Sequence, residues 1–377
     1  MTKDEMFFSP TLTGKRFDDH SIPIELLGEF AAVEELLKAL AKKIYLEEHP
    51  GRKRVPNGFT DNVSLNLSTI EEGSTKLNFF LATTLLGSSL LPLESTSYSY
   101  FEKAKSKVIE IVSAAESNKN VEDIVDKRYL NYFNKIGKNL KAGEEMYLLP
   151  GDKSKSPKIN KEVRKKIMLS ASPDNTYADY YDLKVLIDSL NRTDKTFAFV
   201  IDGNRLEAKL SPIFYRTILE TFSDLDNDRY VSIKGLATFS SNDKIIQIDS
   251  ITSLELLPTL DVSVRLKNLS KLKDGWFNGE GKGFTKNSLE RLEGYFYSNY
   301  PQDQQLPAIF PTPDGNIQME WTIKDSEISL EINLLTYEAE LMTVNAKSGD
   351  SEVDNVNVSV PETWVKINDL IINILNA

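Results

Sequence analysis

The clearest pattern in the chain is a strict alternation of apolar and polar positions near its end. Ile317, Met319, Trp321 and Ile323 alternate with Gln318, Glu320 and Thr322, and Ile328, Leu330, Ile332 and Leu334 alternate with Ser329, Glu331 and Asn333. Successive strand side chains point to opposite faces, so each segment reads as a strand with one buried and one outward face. Tyr337, Ala339 and Leu341 extend the apolar set, which brings Glu338 and Glu340 onto the same outward face as Glu320 and Glu331. Strands are expected over 316–323, 327–334 and 337–344, entered through a type I turn at Thr312, Pro313, Asp314 and Gly315. Trp364, Ile367, Leu370, Ile371 and Ile374 then recur at helical spacing from Pro361 onward. A helix near 262–272, a glycine-rich turn at 275–281 and a helix capped by Thr285 precede the strands. Residues 259–377 therefore read as an α+β domain, a two-layer antiparallel sheet packed on helices.

Upstream the periods change. Residues 176–258 predict strands near 181–190, 196–201 and 205–210, a helix from Pro212 to about Phe222, and strands at 229–239 and 244–256. That order suits a small, OB-like β-barrel, with Asp202, Gly203 and Asn204 as one of its turns. Phe197 and Phe199 flank Ala198 and precede Val200, so both faces of that strand are apolar and the phenylalanines read as core. Residues 1–150 read as a mixed α/β domain. Ser21 and Pro23 open a helix carrying Leu26, Phe30, Val33, Leu36, Leu37 and Leu40. A hairpin follows, with Val63, Leu65 and Leu67 paired to Leu77, Phe79 and Leu81 about a turn at 71–74. Helices are expected at about 97–116 and 121–140, the second with a break in its middle left open. Residues 151–175 form a basic linker and short helix. Within 152–166, Lys153, Lys155, Lys158, Lys161, Arg164, Lys165 and Lys166 face only Asp152 and Glu162. An exposed linker and a contact to a phosphate backbone both fit such a run.

Composition narrows the chemistry. At 377 residues the chain is long enough for two or three cores. It has no cysteine, which excludes disulfides, thiolate metal sites and cysteine nucleophiles and points to a reducing, cytoplasmic setting. The two histidines, His20 and His49, sit in no ligand or triad pattern. Asp18-Asp19-His20 is the one acid–histidine cluster, read as a capping segment. Asp224, Asp226 and Asp228 imitate the start of a calcium loop, but Arg229 and Gly235 stand where glycine and glutamate are required. No Walker loop, nucleophile elbow, dinucleotide fingerprint or histidine metal motif is present, so no catalytic residue, cofactor or metal is assigned. No signal-peptide pattern opens the chain. The charge-free run Leu77–Leu93 contains Asn78, Gly87 and Pro92, and reads as a strand entering a packed loop rather than a membrane segment.

The net charge of −11 is local. Residues 301–377 hold 13 acidic against 3 basic side chains, a net of −10, while the first 300 hold 43 against 42. Such a face is either solvated or matched to something positive. Gly275-Trp276 with Gly279 and Gly281, then Pro311 to Gly315, Gln318, Glu320-Trp321 and Leu330-Glu331-Ile332, resemble a block in uncharacterised bacterial proteins associated with toxin–antitoxin or antiphage gene neighbourhoods. Gly58-Phe59 and Ile70 to Ser74 resemble the front of longer members. The resemblance implies an accessory or conflict-system protein and brings no catalytic residues.

The expectation is thus a non-enzymatic protein that docks a basic partner, encoded nearby, through Glu320, Glu331, Glu338 and Glu340. The alternatives are single-stranded nucleic-acid binding by the barrel with Lys161, Arg164, Lys165 and Lys166, and a carboxylate metal hydrolase.

Overall fold

The computed structural model describes residues 6–19, 21–56, 59–60, 63–71, 75–84, 90–92, 95–201, 203–222 and 229–376. His20, the aspartates 224, 226 and 228, the turn residue Asp202, Gly58 and the hairpin turn at 72–74 lie outside the described residues. The chain divides into two compact units, Met1–Tyr181 with Leu236–Ser250, and Asp182–Gly235 with Ile251–Ala377. Its architecture is mixed α and β, with three antiparallel sheets.

The first unit is built on β1 (Thr11–Thr13), β2 (Val63–Glu71), β3 (Thr75–Thr84), β4 (Leu90–Pro92), β5 (Glu145–Tyr147) and β6 (Lys158–Ile159). They lie in the order β2-β3-β1-β5-β6, with β4 on β3 beside that path. Helices α1 (Ile24–Glu48), α2 (Ser95–Glu116), α3 (Lys127–Leu130) and α4 (Lys161–Ala171) complete it. The predicted stripe of α1 is buried: Leu26, Phe30, Val33, Leu36, Leu37 and Leu40 all enter one core with Phe79, Phe101 and Ile167. Its start differs from the sequence reading. Pro23 is the cap residue, and the Ser21 hydroxyl donates instead to the Arg16 carbonyl at 3.2 Å.

The helix expected over 121–140 is a run of single turns. Asn120 caps a 3-10 turn at Val121–Asp123, α3 spans four residues, a second 3-10 turn covers Asn131–Asn134, and Gly137 turns the chain at φ +74°. A Cβ at Gly137 would lie 2.6 Å from Ile159 Cγ2, so the chain passes β6 at a distance only glycine allows. Glu29 holds this bend: its carboxylate accepts the Gly137 and Asn139 N–H groups, both at 2.6 Å. The stretch expected as a basic linker and short helix carries β6 and, as that helix, α4, whose Val163, Ile167, Met168 and Ala171 pack into the first core.

The central sheet consists of β7 (Thr176–Asn191), β8 (Thr196–Ile201), β9 (Asn204–Lys209), β10 (Tyr230–Ser240) and β11 (Ile245–Leu256), in the order β11-β10-β7-β8-β9. A 3-10 turn at Pro212–Phe214 and α5 (Tyr215–Glu220) separate β9 from β10. Among the described residues no pairing joins β9 to β11, so the expected barrel is an open half-barrel. A bulge between Ile187 and Ser189 bends β7 where it meets β8. Phe197 and Phe199 are buried, as their apolar setting predicts.

The second unit ends in a meander of β12 (Ala308–Pro311), β13 (Ile317–Ile323), β14 (Ser326–Ile332), β15 (Glu338–Asn345) and β16 (Ser351–Asn357), each strand antiparallel to the next. Helices α6 (Val262–Leu269), α7 (Lys286–Asn299) and α8 (Pro361–Asn376) share one core with it. Every apolar residue of the predicted alternation, from Ile317 to Leu341, is buried there. The two buried tryptophans keep hydrogen-bond partners: Trp321 Nε1 donates to the Tyr300 hydroxyl at 2.9 Å, and Trp364 Nε1 to the Val358 carbonyl at 2.8 Å. Thr285 caps α7 through the Ser288 N–H, and Gly315 N–H closes the predicted turn on the Thr312 carbonyl. The glycine-rich segment is a packing turn. A Cβ at Gly281 would lie 2.8 Å from Trp276 Nε1, and the Lys282 N–H bonds the Pro313 carbonyl.

Candidate docking face

One face of the C-terminal sheet packs on the helices, and the opposite face carries the glutamates. Strand register fixes which residues meet there. One row across the sheet reads Phe310, Gln318, Glu331, Glu340 and Asn355; the next reads Ala308, Glu320, Ser329, Met342 and Val353. Glu338 lies beside Asn357 at the margin of the first row. All four predicted glutamates thus share a face, Glu320 half-buried and the other three exposed.

Glu331 stands directly opposite Glu340. Like charges in a cross-strand pair destabilise a sheet, so this arrangement works against folding. Among the described residues the side-chain bonds to the glutamates of this face come from neutral amides. Asn316 Nδ2 donates to Glu331 at 3.0 Å, and Gln318 Nε2 to Glu320 at 2.7 Å. The three lysines of residues 301–377 are engaged elsewhere: Lys324 with the Leu375 carbonyl at 2.7 Å, Lys347 with Asp325 at 2.5 Å, and Lys366 with Asp354. Among the described residues no ion pair reaches Glu320, Glu331, Glu338 or Glu340.

The same face exposes apolar side chains that the sequence reading did not select. Phe310 is 42% exposed at one edge, while Met342 at 36% and Val353 at 58% lie side by side toward the other. An acidic centre flanked by exposed apolar groups combines steering charge with area worth desolvating. Phe310 and Val353 were missed because β12 and β16 were missed. The first is four residues ending in proline, and the second, Ser-Glu-Val-Asp-Asn-Val-Asn, is too polar to alternate visibly.

The basic segment is arranged differently. Arg164 is 1% exposed and turned inward, so it is not available to a phosphate. Its Nε donates to the Phe133 carbonyl at 2.9 Å, and its guanidinium lies 3.4 Å from Asp179. Burial pulls its pKa below the usual guanidinium value, opposed by Asp179 and Glu29. The cause of its orientation is its place on the apolar side of α4, between Val163 and Ile167. Lys165 pairs with Asp243 at 2.5 Å and lies over the Tyr177 ring. The bonds from Lys165 and Tyr177 hold the Asp243 carboxyl below its usual range, while burial and Asp243 push the Tyr177 phenol up. Lys161 is exposed and Lys166 half-buried, leaving these two as the outward cations of the predicted set.

His49 stacks on Tyr45, with its Nδ1 2.8 Å from the Tyr45 carbonyl, in an aromatic cluster with Phe59 and Tyr100. No group of three or more His, Cys, Asp or Glu among the described residues is placed to hold a metal ion, and no described helix is long and apolar enough to cross a membrane. A scan against protein-family models found no match, and searches of curated proteins and of solved structures likewise found none.

Proposed function

We propose that this chain is a non-enzymatic binding component that captures a basic partner protein on the outer face of its C-terminal sheet. The observation that carries the reading is the unneutralised Glu331–Glu340 pair, set in one face with Glu320 and Glu338 and flanked by Phe310, Met342 and Val353. A protein that faces its own acids with amides, and spends its nearby lysines elsewhere, keeps a field for an external cation. The bacterial conflict-system setting rests on the motif resemblance alone, and it nominates the products of neighbouring genes as partners.

The test is capture of those gene products by the wild-type chain and by a variant with Glu320, Glu331, Glu338 and Glu340 all replaced by lysine. Loss of capture with an unchanged circular dichroism spectrum supports the reading. Capture retained by the variant removes it.

The strand order of the half-barrel supports single-stranded nucleic-acid binding as a second reading. A three-strand meander, a helix and a hairpin returning beside the first strand resemble an OB-like barrel that lacks one closing pair. Its basic helix contributes Lys161 and Lys166 rather than four cations. Affinity for a single strand that falls steeply with salt supports this reading, and no binding at low salt disposes of it.

A further inference from the structure

The second unit contains a cleft of about 450 Å³ lined by β7, β8 and α6. Among the described residues that line it, Lys184, Lys267 and Lys271 accompany one acid, Asp188. Asp188 is engaged by Arg205 at 3.2 Å. Lys184 is likewise committed, bonding both Asp261 oxygens at 3.0 and 3.1 Å over the Tyr297 ring. Lys267 and Lys271 differ. Both are exposed, Lys267 in the last turn of α6 and Lys271 in the turn just past its end, and among the described residues no carboxylate pairs with either.

Lys271 Nζ donates to Asn268 Oδ1 at 3.0 Å, and Asn268 Nδ2 donates to the Tyr230 hydroxyl at 3.3 Å. These groups make a polar corner at one end of the cleft. The wall is apolar, formed in part by Leu186, Val200 and Val264, with Leu186 at 36% and Val200 at 51% exposed. A helix C-terminus favours cations, which accounts for lysines being tolerated there but not for the apolar wall beside them. Two ammonium groups that no carboxylate among the described residues neutralises, a corner of hydrogen-bonding groups and an apolar wall match a ligand with an anionic end and a flat ring. The volume falls in the range of small-molecule sites, about 300–1,000 Å³.

We propose that this cleft binds a phosphorylated nucleoside, with Lys267 and Lys271 on the phosphate and the base against Leu186 and Val200. The proposal is independent of the docking face. The same chemistry is presented by a free nucleotide and by one residue of a single strand, and the experiment separates them.

Calorimetry at low salt on the full chain, with ATP, a short oligothymidylate and inorganic phosphate as probes, tests the site. ATP or the oligonucleotide binds wild type more tightly than phosphate does, and Lys267→Glu/Lys271→Glu weakens that binding by about tenfold or more, the effect of losing one or two charge-assisted contacts. Tighter binding of ATP identifies a free nucleotide as the ligand, and tighter binding of the oligonucleotide identifies a strand. Lys267→Gln/Lys271→Gln repeats the readout should charge reversal disturb folding. Absence of binding by wild type, phosphate binding equal to that of both nucleosidic probes, or undiminished binding by the folded variants overturns the proposal.

Discussion

Residues 152–166 and residues 301–377 are both charge-rich in sequence, yet the fold treats them in opposite ways. In the basic segment most cations are met by acids of the first unit: Lys158 by Glu145 at 2.5 Å, Lys165 by Asp243, Arg164 by Asp179. On the acidic sheet Glu320 and Glu331 meet side-chain amides, and Glu331 stands opposite Glu340. A run of like charge becomes a binding surface only where the tertiary structure withholds counter-ions, and that property belongs to the fold rather than to the local sequence.

The largest effect should come from breaking the basic side of this contrast. Arg164→Met leaves Asp179 and the Phe133 carbonyl without their cation, and should cost about 3–5 kcal/mol in urea unfolding, the cost of orphaning a buried charge. A loss below about 1 kcal/mol would mean that Arg164 is in effect a surface residue. Next comes the acidic side. Lysine at the four glutamate positions should slow association with a basic partner by about tenfold to a hundredfold at low salt, with little change in unfolding midpoint.

A pH titration reports on the paired carboxylate of Glu144. Burial raises the Glu144 carboxyl, but its bonds from Arg16 at 2.7 Å and from the Lys141 N–H overcome this and hold it below its usual value. Its contribution to stability is therefore complete above the ordinary glutamate range and is lost as pH falls through the lowered folded value. Glu144→Gln should flatten that part of the acid limb of stability against pH, read from urea unfolding across a pH series. The smallest effects close the series. Lys165→Ala should cost less than about 1 kcal/mol, because its partner Asp243 is largely exposed. Glu331→Gln should stabilise the fold by a few tenths of a kcal/mol by relieving the opposed pair.

The parts of the fold legible in sequence are those where one residue type repeats with the period of its element. The alternation from Ile317 to Leu341 gave the strands, their buried face and the four glutamates, and the stripes of α1 and α8 gave helices. What stayed hidden lacks such a period. Strands β1, β5 and β6 are two or three residues long, and β16 is an edge strand whose polar residues face solvent. The helix expected at 121–140 failed because Asn120, Asn131 and Gly137 favour turns, and because Glu29, more than 100 residues away, supplies the acceptors for the bend. Arg164 was misplaced as a surface cation because its neighbours Lys165 and Lys166 set the local composition, while Val163 and Ile167 set its face.

The central claim is that the outer sheet face holds an unneutralised field that selects cations. Its most direct test is hydrogen exchange and binding of a defined lysine-rich peptide to wild type and to a Glu320→Gln, Glu331→Gln, Glu338→Gln, Glu340→Gln variant over a salt series. The account predicts salt-sensitive binding that protects β13, β14 and β15 in wild type and is absent from the variant. Equal binding by the two proteins, or protection confined to other strands, would contradict it.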